Sequence, residues 1–490
     1  MQDAGASRLA GQGRRPIRLP AGAAAFLYPV VCLVPLALAA SRDVAPAVGW
    51  EIFAAGLGIA GLAAMAVQFV TSGRFRMVSG RLGIDRVMAF HKTAAWWVLL
   101  ALLLHPLAYV VPTALADPAL GFERLRAYHT LPQYRSGVIA LWALLLLVLS
   151  SVLRNRLPVP YEAWRASHVV LSAVALGGGL HHAVSAGRFS AMGALHGFWW
   201  AVGAIAVGVI ALLYGWRWAR LHLRPWRLAS VTPLADRMWE LDIQPAPGTP
   251  PLGYRAGQFV WMTEGARRFP LFDHPFSIAD SPLRPGLSLI VKEAGDFTNG
   301  IGALEPGTAI GLDGPHGAFT MEGHEEDAVL LIAGGVGVAP IMGLLRDLAA
   351  RGHGRPVRLA YAAGTPENFA CLDEIEAARE KLDLTTLLVS ETSSQTWTGE
   401  IGRLDRARLA GMLAGLDPAR TVALICGPGP MVTAVSDTLL ALGLPMDRVM
   451  YERFDYSEGA SRLDHRLRRR FLALGLALAV GIAAFVAVVG

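Results

Sequence analysis

Four histidines are spaced so that they could hold iron inside a membrane. His91 and His105 lie 14 residues apart on one apolar stretch, and His168 and His182 repeat that spacing on another. Fourteen residues make nearly four turns of an α-helix, so each stretch carries its two histidines on one face, about 21 Å apart along the axis. Ionisable side chains inside a membrane are costly and usually mark a functional site.

Imidazole nitrogens suit iron, and two axial ones hold a haem with no open coordination position. We therefore predict two sites, His91 with His168 near one membrane face and His105 with His182 near the other. His181 is rotated about 140° from His168 on an ideal helix, which favours His182, although a local bulge would reverse that choice. The alternative interpretation is that these histidines are hydrogen-bonded packing residues.

Apolar stretches of membrane-spanning length must position these histidines. The 490 residues are 53% hydrophobic and only 17% charged, whereas soluble domains are about 25% charged. This composition argues against a purely soluble enzyme. Stretches of about 17–25 apolar residues can cross a bilayer. Six precede the soluble part, at 21–40, 50–70, 88–111, 137–153, 168–186 and 194–214, and a seventh, 471–490, follows the basic run RLRRR.

The charge of the chain indicates orientation in a membrane rather than nucleic-acid binding. The net charge is +6, and most arginines of the first 230 residues cluster beside apolar stretches, within 8–18, 74–86, 154–165 and 217–227. Cytoplasmic loops carry such an excess, so the amino terminus and the soluble part are predicted to be cytoplasmic. Cys32, Cys371 and Cys426 lie far apart without a CxxC pair, which indicates neither a disulfide framework nor a structural zinc site.

The soluble part reads as two domains of different type. Between 226 and 320, short alternating runs separated by glycine and proline turns predict a small antiparallel β-barrel. Between 328 and 450, apolar strands alternate with helical segments, which predicts an α/β unit with a parallel sheet. The predicted domains are a six-helix transmembrane bundle over 1–221, a barrel over 222–324 and an α/β domain over 325–458. A basic flank and a last transmembrane helix complete the chain over 459–490.

The barrel region contains a segment that could lie along a planar cofactor. In DHPFSIAD (273–280), Phe276 offers a ring for stacking and Ser277 offers a hydroxyl. An edge strand is an equal alternative. GDFTNGI (295–301) and GPHGAF (314–319) are turn-rich and could bring backbone amides to a phosphate or to a ring edge.

Two glycine-rich segments of the α/β region each follow a strand and open a helix. They are AGGVGVAPIMGLL (333–345) and CGPGPM (426–431). Ligands of open α/β sheets bind at the carboxyl ends of the strands, where a helix amino terminus favours a pyrophosphate. Cys426 would there lie beside a nicotinamide. The alternative for each segment is an ordinary strand-to-helix turn.

The features singled out so far form one set: the paired histidines, HPFSI, GPHG, GGVGVAP, CGPGPM and YERFDY (451–456). In this set the chain resembles a bacterial member of the ferric reductase and NADPH oxidase (NOX) family over about 50–456. The resemblance implies two b-type haems in the bundle, FAD in the barrel, and NADPH or NADH as electron donor. Electrons would cross the bacterial inner membrane to a small-molecule acceptor outside, either oxygen, giving superoxide, or a ferric chelate. The alternative is a membrane-tethered NAD(P)H–flavin reductase with a cytoplasmic acceptor.

The resemblance also implies roles for individual residues, which can be given by cofactor. For FAD they are His274, Pro275, Phe276 and Ser277, with Phe297 and Thr298 near its phosphates; for the nicotinamide nucleotide they are Gly334, Gly335, Gly337, Pro340, Gly427 and Pro428. Cys426 and Phe454 are the predicted catalytic residues, and Phe454 occupies the position of the aromatic that covers the flavin ring.

Two features depart from the family pattern. The chain continues past YERFDY into a further apolar stretch, and Gly364 stands where many relatives place a basic residue able to pair with the 2′-phosphate of NADPH. The choice between NADPH and NADH is therefore open.

Overall fold

The computed structural model describes residues 21–41, 47–72, 84–265, 269–453 and 461–490. The predicted catalytic Phe454 lies outside these residues. So do the arginines of 8–18 and most of those of 74–86 that were used to predict orientation.

Long apolar helices make up the first half of the chain. They are α1 (Ala21–Ala40), α2 (Gly49–Val70), α3 (Ile84–Ala116), the shorter α4 (Pro118–Thr130), α5 (Arg135–Val152), α6 (Tyr161–Ala186) and α7 (Gly193–Ile210), which continues through one π-helical turn into α8 (Arg217–Leu223). Asp117 caps α4 by accepting hydrogen bonds from the amides of Ala119 and Leu120.

Six helices among the described residues are long and apolar enough to cross a membrane. They lie at Gly49–Val70, Arg86–Ala116, Pro132–Val152, Tyr161–Ala186, Gly193–Leu223 and Arg462–Val489, and Leu27–Ala40 is a shorter apolar helix. Many large apolar side chains on them face outward, such as Trp96, Leu100, Trp142 and Val207. A lipid environment accommodates such a surface, so the protein is an integral membrane protein.

An antiparallel sheet of six strands follows the bundle. Its strands are β1 (Trp226–Ala235), β2 (Met238–Pro245), β3 (Phe259–Glu264), β4 (His274–Ser277), β5 (Leu287–Lys292) and β6 (Ala309–His316), in the order β4-β3-β6-β1-β2-β5. Apolar side chains such as Leu241, Val260 and Leu289 form its buried core. The predicted antiparallel architecture of this region is thus confirmed.

A parallel sheet of six strands forms the next domain, as predicted. Its strands are β7 (Ala328–Gly334), β8 (Val357–Ala363), β9 (Leu384–Ser390), β10 (Glu400–Ile401), β11 (Thr421–Gly427) and β12 (Val449–Arg453), in the order β10-β9-β8-β7-β11-β12. The helices between them are α9 (Val338–Ala350), α10 (Leu372–Ala377), α11 (Arg406–Met412) and α12 (Gly429–Ala441). The chain leaves β7 towards one edge and returns to β11 on the other side. This is a topological switch point, where open α/β sheets bind ligands.

The last helix, α13 (Arg462–Val489), returns to the helical bundle. It packs against α1, α2 and α3, with Phe471 edge-on to Phe90 at a centroid distance of 5.2 Å. Ser461 and Asp464 form a capping box at its start. Asp464 also bonds Arg453 of β12 at 2.8 Å. The last strand of the α/β domain is therefore linked directly to a membrane helix.

Candidate functional site

Two helices of the bundle bring the four predicted histidines together in pairs. His91 and His105 lie on α3, and His168 and His182 lie on α6. The ring centres of His91 and His168, the first pair, are 6.5 Å apart. Those of His105 and His182, the second pair, are 6.4 Å apart. The 14-residue spacing thus places one imidazole of each helix opposite one of the other at two levels.

Both distances fit a metal ion held between the rings. An imidazole nitrogen binds a metal at about 2 Å, and the ring centre lies roughly 1 Å behind it, so two trans ligands have centres roughly 6 Å apart. Among the described residues, no group of three or more histidine, cysteine or acidic side chains is placed to hold an ion. Each site consequently offers two protein ligands, the number that a haem iron takes axially.

The outer hydrogen bonds of the rings leave nitrogens for a metal. Nδ1 of His105 donates to the carbonyl oxygen of Ala54 at 2.7 Å, so the other nitrogen, Nε2, carries the free lone pair. Nδ1 of His168 is 3.2 Å from the hydroxyl of Ser151. The buried Nδ1 atoms of His91 and His182 have no hydrogen-bond partner among the described residues. Contacts within the described residues thus satisfy one nitrogen of His105 and of His168 but leave Nδ1 of the other two rings without a partner.

Two glycines of neighbouring helices make room for the second pair. A Cβ on Gly58 of α2 would lie 2.7 Å from Nδ1 of His105, and one on Gly137 of α5 would lie 2.8 Å from Cγ of His182. Neither glycine was predicted from the sequence. A glycine in an apolar span carries no signal of what faces it, since the contact depends on how the helices pack.

His181 points elsewhere. Its Nδ1 lies 2.9 Å from the hydroxyl of Ser136, and its side chain is exposed. The structure brings His182 to His105, and ligation by His182 remains a prediction. Three tyrosines, Tyr109, Tyr128 and Tyr134, join the second pair in a continuous series of ring contacts with centroid distances of 4.9–6.4 Å.

The residues predicted to contact FAD form strand β4 and a turn beside it. His274, Pro275, Phe276 and Ser277 pair with β3. Phe297 stacks on the ring of His274, with centres 4.0 Å apart and planes 19° apart. The hydroxyl of Thr298 accepts hydrogen bonds from the amides of Ala294 and Gly295. This segment is therefore an edge strand with stacked aromatic rings beside it, and its contact with FAD remains a prediction.

The residues predicted to bind the nucleotide meet at the switch point. Gly334 ends β7, Gly335 takes a left-handed φ of +52°, and Pro340 lies in the first turn of α9. Cys426 and Gly427 end the neighbouring strand β11, and Pro428 precedes α12. A Cβ on Gly337 would lie 2.1 Å from the carbonyl oxygen of Cys426. The two glycine-rich turns are thus in direct contact, and the side chain of Cys426 is fully buried.

Two buried ion pairs join the helical bundle to the antiparallel sheet. Arg165 of α6 contacts Asp273 at 2.6 Å, and Arg217 of α8 contacts Asp313 of β6 at 2.7 Å. Burial opposes ionisation of Asp313, but the hydrogen bond from His316 and the charge of Arg217 lower its pKa to about 2. The first ion pair holds the residue before β4 against the end of α6 that carries His168, and the second joins α8 to β6.

Comparison with known families matches three consecutive parts of the chain. Residues 57–179 match the ferric reductase like transmembrane component, 225–306 an FAD-binding domain, and 331–437 an oxidoreductase NAD-binding domain. The matches follow the order bundle, antiparallel sheet and parallel sheet.

Curated relatives match the soluble half. The chain is 31% identical over 242 residues to ferredoxin–NADP reductase B of Sorangium cellulosum, covering 47% of this chain and 96% of that protein. It is 32% identical over 246 residues to the reductase component of propane 2-monooxygenase from Rhodococcus jostii, covering 46% of this chain and 62% of that protein. The chain thus spans about three fifths of the latter's length.

Among solved structures, the flavohaemoglobin-like FAD/NAD-binding domain of nitric oxide dioxygenase from Vibrio cholerae is similar to the same half. The TM-score is 0.42 at 20% identity, covering 47% of this chain and 98% of that one. With a ferric reductase like transmembrane component followed by FAD-binding and NAD-binding domains, the chain is an oxidoreductase with the domain architecture of the ferric reductase and NADPH oxidase family.

Proposed function

We propose that this protein carries electrons from cytoplasmic NAD(P)H across the bacterial inner membrane, by way of FAD and two b-type haems, to an acceptor on the outer face. The observation that carries the proposal is the pairing of histidines at two levels of α3 and α6, with ring centres 6.4–6.5 Å apart. Two such sites at two levels of the same two helices support a path through the bilayer rather than one isolated metal site.

The groups implied by this proposal supply the redox chemistry. When bound, FAD takes two electrons from NAD(P)H and releases them singly, and an iron between two imidazoles carries one electron at a time. His91 and His168 would hold one haem, and His105 and His182 the other. Each pair would supply two imidazole nitrogens to its haem iron, so an acceptor would be reduced without binding iron.

The chain's own residues provide orientation and exclusion of water. The contact between the two glycine-rich turns would bring the nucleotide close to the backbone at the switch point, with Cys426 beside the nicotinamide. The platform of His274 and Phe297 would support the flavin, and Phe454 would cover it. A bridge between Ile278 and Leu289, joining the segment after β4 to β5, supports the proposal that the antiparallel sheet closes into a barrel.

The direction of transfer follows from which pair lies nearer the flavin domain. His168 lies eight residues into α6 from Pro160, whereas His182 lies near the far end of that helix. Arg165, one turn from His168, binds the segment before β4. The arginines of 154–165 and 217–227 lie on the same side, which by the positive-inside rule supports a cytoplasmic location for that side.

Difference spectra of the purified full-length protein test the proposal. We expect a b-type haem signal on reduction, its loss in the double variant His105→Leu with His168→Leu, and continued dye reduction by the flavin domains. His182→Leu should remove about half of the signal, whereas the adjacent His181→Leu should leave it unchanged. A protein without haem, or a signal unchanged in the double variant, would overturn the proposal.

Oriented vesicles separate the proposal from a reductase with a cytoplasmic acceptor. We expect NAD(P)H on the cytoplasmic side to reduce a membrane-impermeant acceptor on the other side. Reduction confined to the nucleotide side, at wild-type rates in haem-free variants, would favour the alternative. Oxygen consumption with superoxide trapping, compared with reduction of a ferric chelate, identifies the acceptor. No nucleic-acid partner is proposed.

A further inference from the structure

Arg154 differs from the other arginines at the junction between the bundle and the antiparallel sheet. Arg165 and Arg217 each bind a buried aspartate. Arg154 forms neither an ion pair nor a side-chain hydrogen bond with any residue that the structure describes, and its Nε is buried. Its guanidinium carbon lies 5.6 Å from the ring centre of Trp164 and 5.8 Å from that of Tyr161.

Trp164 contributes a second unsatisfied donor at the same place. Its indole Nε1 is buried and has no hydrogen-bond partner within the described ranges. An indole nitrogen is a donor only, so the group that satisfies it must be an acceptor. A guanidinium and an indole N–H that lie this close together match the oxygen atoms of a carboxylate or a phosphate.

The two donors lie between the first histidine pair and the flavin platform. Trp164 is one helical turn before His168, with ring centres 5.4 Å apart. Arg154 is three residues after Ser151, whose hydroxyl contacts Nδ1 of His168. On the other side, the ring of Tyr161 lies 6.2 Å from that of His274. The nearby carboxylate of Glu162 lies 3.5 Å from Nε2 of His274.

We propose that Arg154 and Trp164 form an anion-binding site for a carboxylate or phosphate group of a bound cofactor. The inference rests on the proposed function, which offers two sources of such a group at this position. One is a propionate of the haem between His91 and His168, and the other is a phosphate of FAD bound beside β4. The site would fix that cofactor at the point where the bundle meets the flavin domain.

The experiment uses the full-length protein in detergent, with Arg154→Gln, Trp164→Phe and the charge-preserving Arg154→Lys. The exposed neighbour Arg156→Gln is the matched control. Haem content, the midpoint potential of each haem and the dissociation constant of FAD from flavin-depleted protein are measured for each variant. These quantities do not depend on turnover.

The two sources predict different results. For a haem carboxylate, Arg154→Gln should lower the midpoint potential of one haem and speed its loss at least about tenfold, with FAD affinity unchanged. For a flavin phosphate, the dissociation constant of FAD should rise at least about tenfold, with both potentials unchanged. Arg154→Lys should restore part of either effect, and Trp164→Phe should show the same effect more weakly.

Wild-type haem potentials and FAD affinity in both Arg154→Gln and Trp164→Phe would overturn the inference. If Arg154→Gln fails to fold, Trp164→Phe decides, because it keeps an aromatic ring and removes only the donor. A wild-type protein that lacks haem would instead overturn the proposed function, and the FAD measurement would then decide this site alone.

Discussion

Gly137 leaves space for an imidazole that any larger residue would displace. A Cβ at this position would lie 2.8 Å from Cγ of His182. We therefore expect Gly137→Ala to shift or remove the absorption of the haem proposed at the second pair and to cost about 1–3 kcal/mol of stability through overpacking. Gly177→Ala on α6 is the control, since nothing lies within 4 Å of its Cβ. Identical difference spectra for the two variants would contradict the prediction.

Gly364 offers a position at which nucleotide preference can be changed. It follows β8 at the carboxyl edge of the parallel sheet, and only Oδ1 of Asn368, at 3.9 Å, lies near its Cβ. Because a Cβ there meets no close neighbour, Gly364→Arg should be tolerated and should lower KM for NADPH several-fold through a charged contact with the 2′-phosphate, leaving KM for NADH unchanged.

The control for that change adds the same charge elsewhere on the domain. Gly354→Arg, also in open space, should alter neither constant. Steady-state rates of both variants, measured with NADPH and with NADH, give the KM values to be compared. A uniform fall in both KM values for Gly364→Arg would indicate general electrostatic attraction instead of specific recognition.

At the scale of single elements, the periodicity of the sequence predicted most of what the structure shows. The 14-residue spacing is a property of one helix, so the shared face of His91 and His105 follows from helical geometry. The strand patterns likewise predicted an antiparallel sheet and then a parallel sheet, both of which the structure contains.

Contacts between elements were beyond prediction from the sequence. Ser151 reaches His168 from another helix, and Gly58 faces His105 across a helix interface. Arg165 meets Asp273 more than a hundred residues further along the chain. Each of these depends on how elements pack, which neither periodicity nor residue type encodes. The four histidines and the glycine-rich turns could be named as candidates because their signals are local.

Helix α13 depends on a small residue where it crosses α1. A Cβ on Gly481 would lie 2.2 Å from Cδ2 of Leu33. Gly481→Leu should therefore separate the two helices and lower the apparent melting temperature of the detergent-solubilised protein by several degrees. Ala479→Leu adds a side chain on the exposed side of the same helix and should leave that temperature nearly unchanged. A larger effect of Ala479→Leu would show that this contact is unimportant.

For the whole molecule, the pair Arg217 and Asp313 contributes to holding the flavin domain on the bundle. The pKa of Asp313 is lowered to about 2, below the value of about 3.9 for an unfolded aspartate. The stabilising contribution of this ion pair to the contact between the flavin domain and the bundle is therefore fully present above pH 4, and it is lost as the pH falls towards 2. Removing one partner of a buried pair costs about 3–5 kcal/mol.

At neutral pH, Asp313→Asn should accordingly lower the temperature at which the flavin domain is released from the bundle. The difference in release temperature between this variant and the wild type should shrink as the pH falls from 4 to 2. Limited proteolysis between the bundle and the sheet, followed with temperature, measures the release. Asp296→Asn, at an exposed carboxylate, is the control. A difference that stays constant over this pH range would contradict the assigned role of the pair.

Because β12 is linked to α13, we expect the rate of nucleotide turnover to depend on the thickness of the bilayer. The parallel sheet is joined to the membrane through the antiparallel sheet at one end and through Arg453 and Asp464 at the other. In a thinner or thicker bilayer, a membrane helix tilts to match its apolar length to the hydrocarbon, and α13 would carry β12 with it. Turnover in vesicles should thus vary with acyl-chain length, and Asp464→Asn should weaken that dependence. The lipids around this oxidoreductase would then set part of its rate.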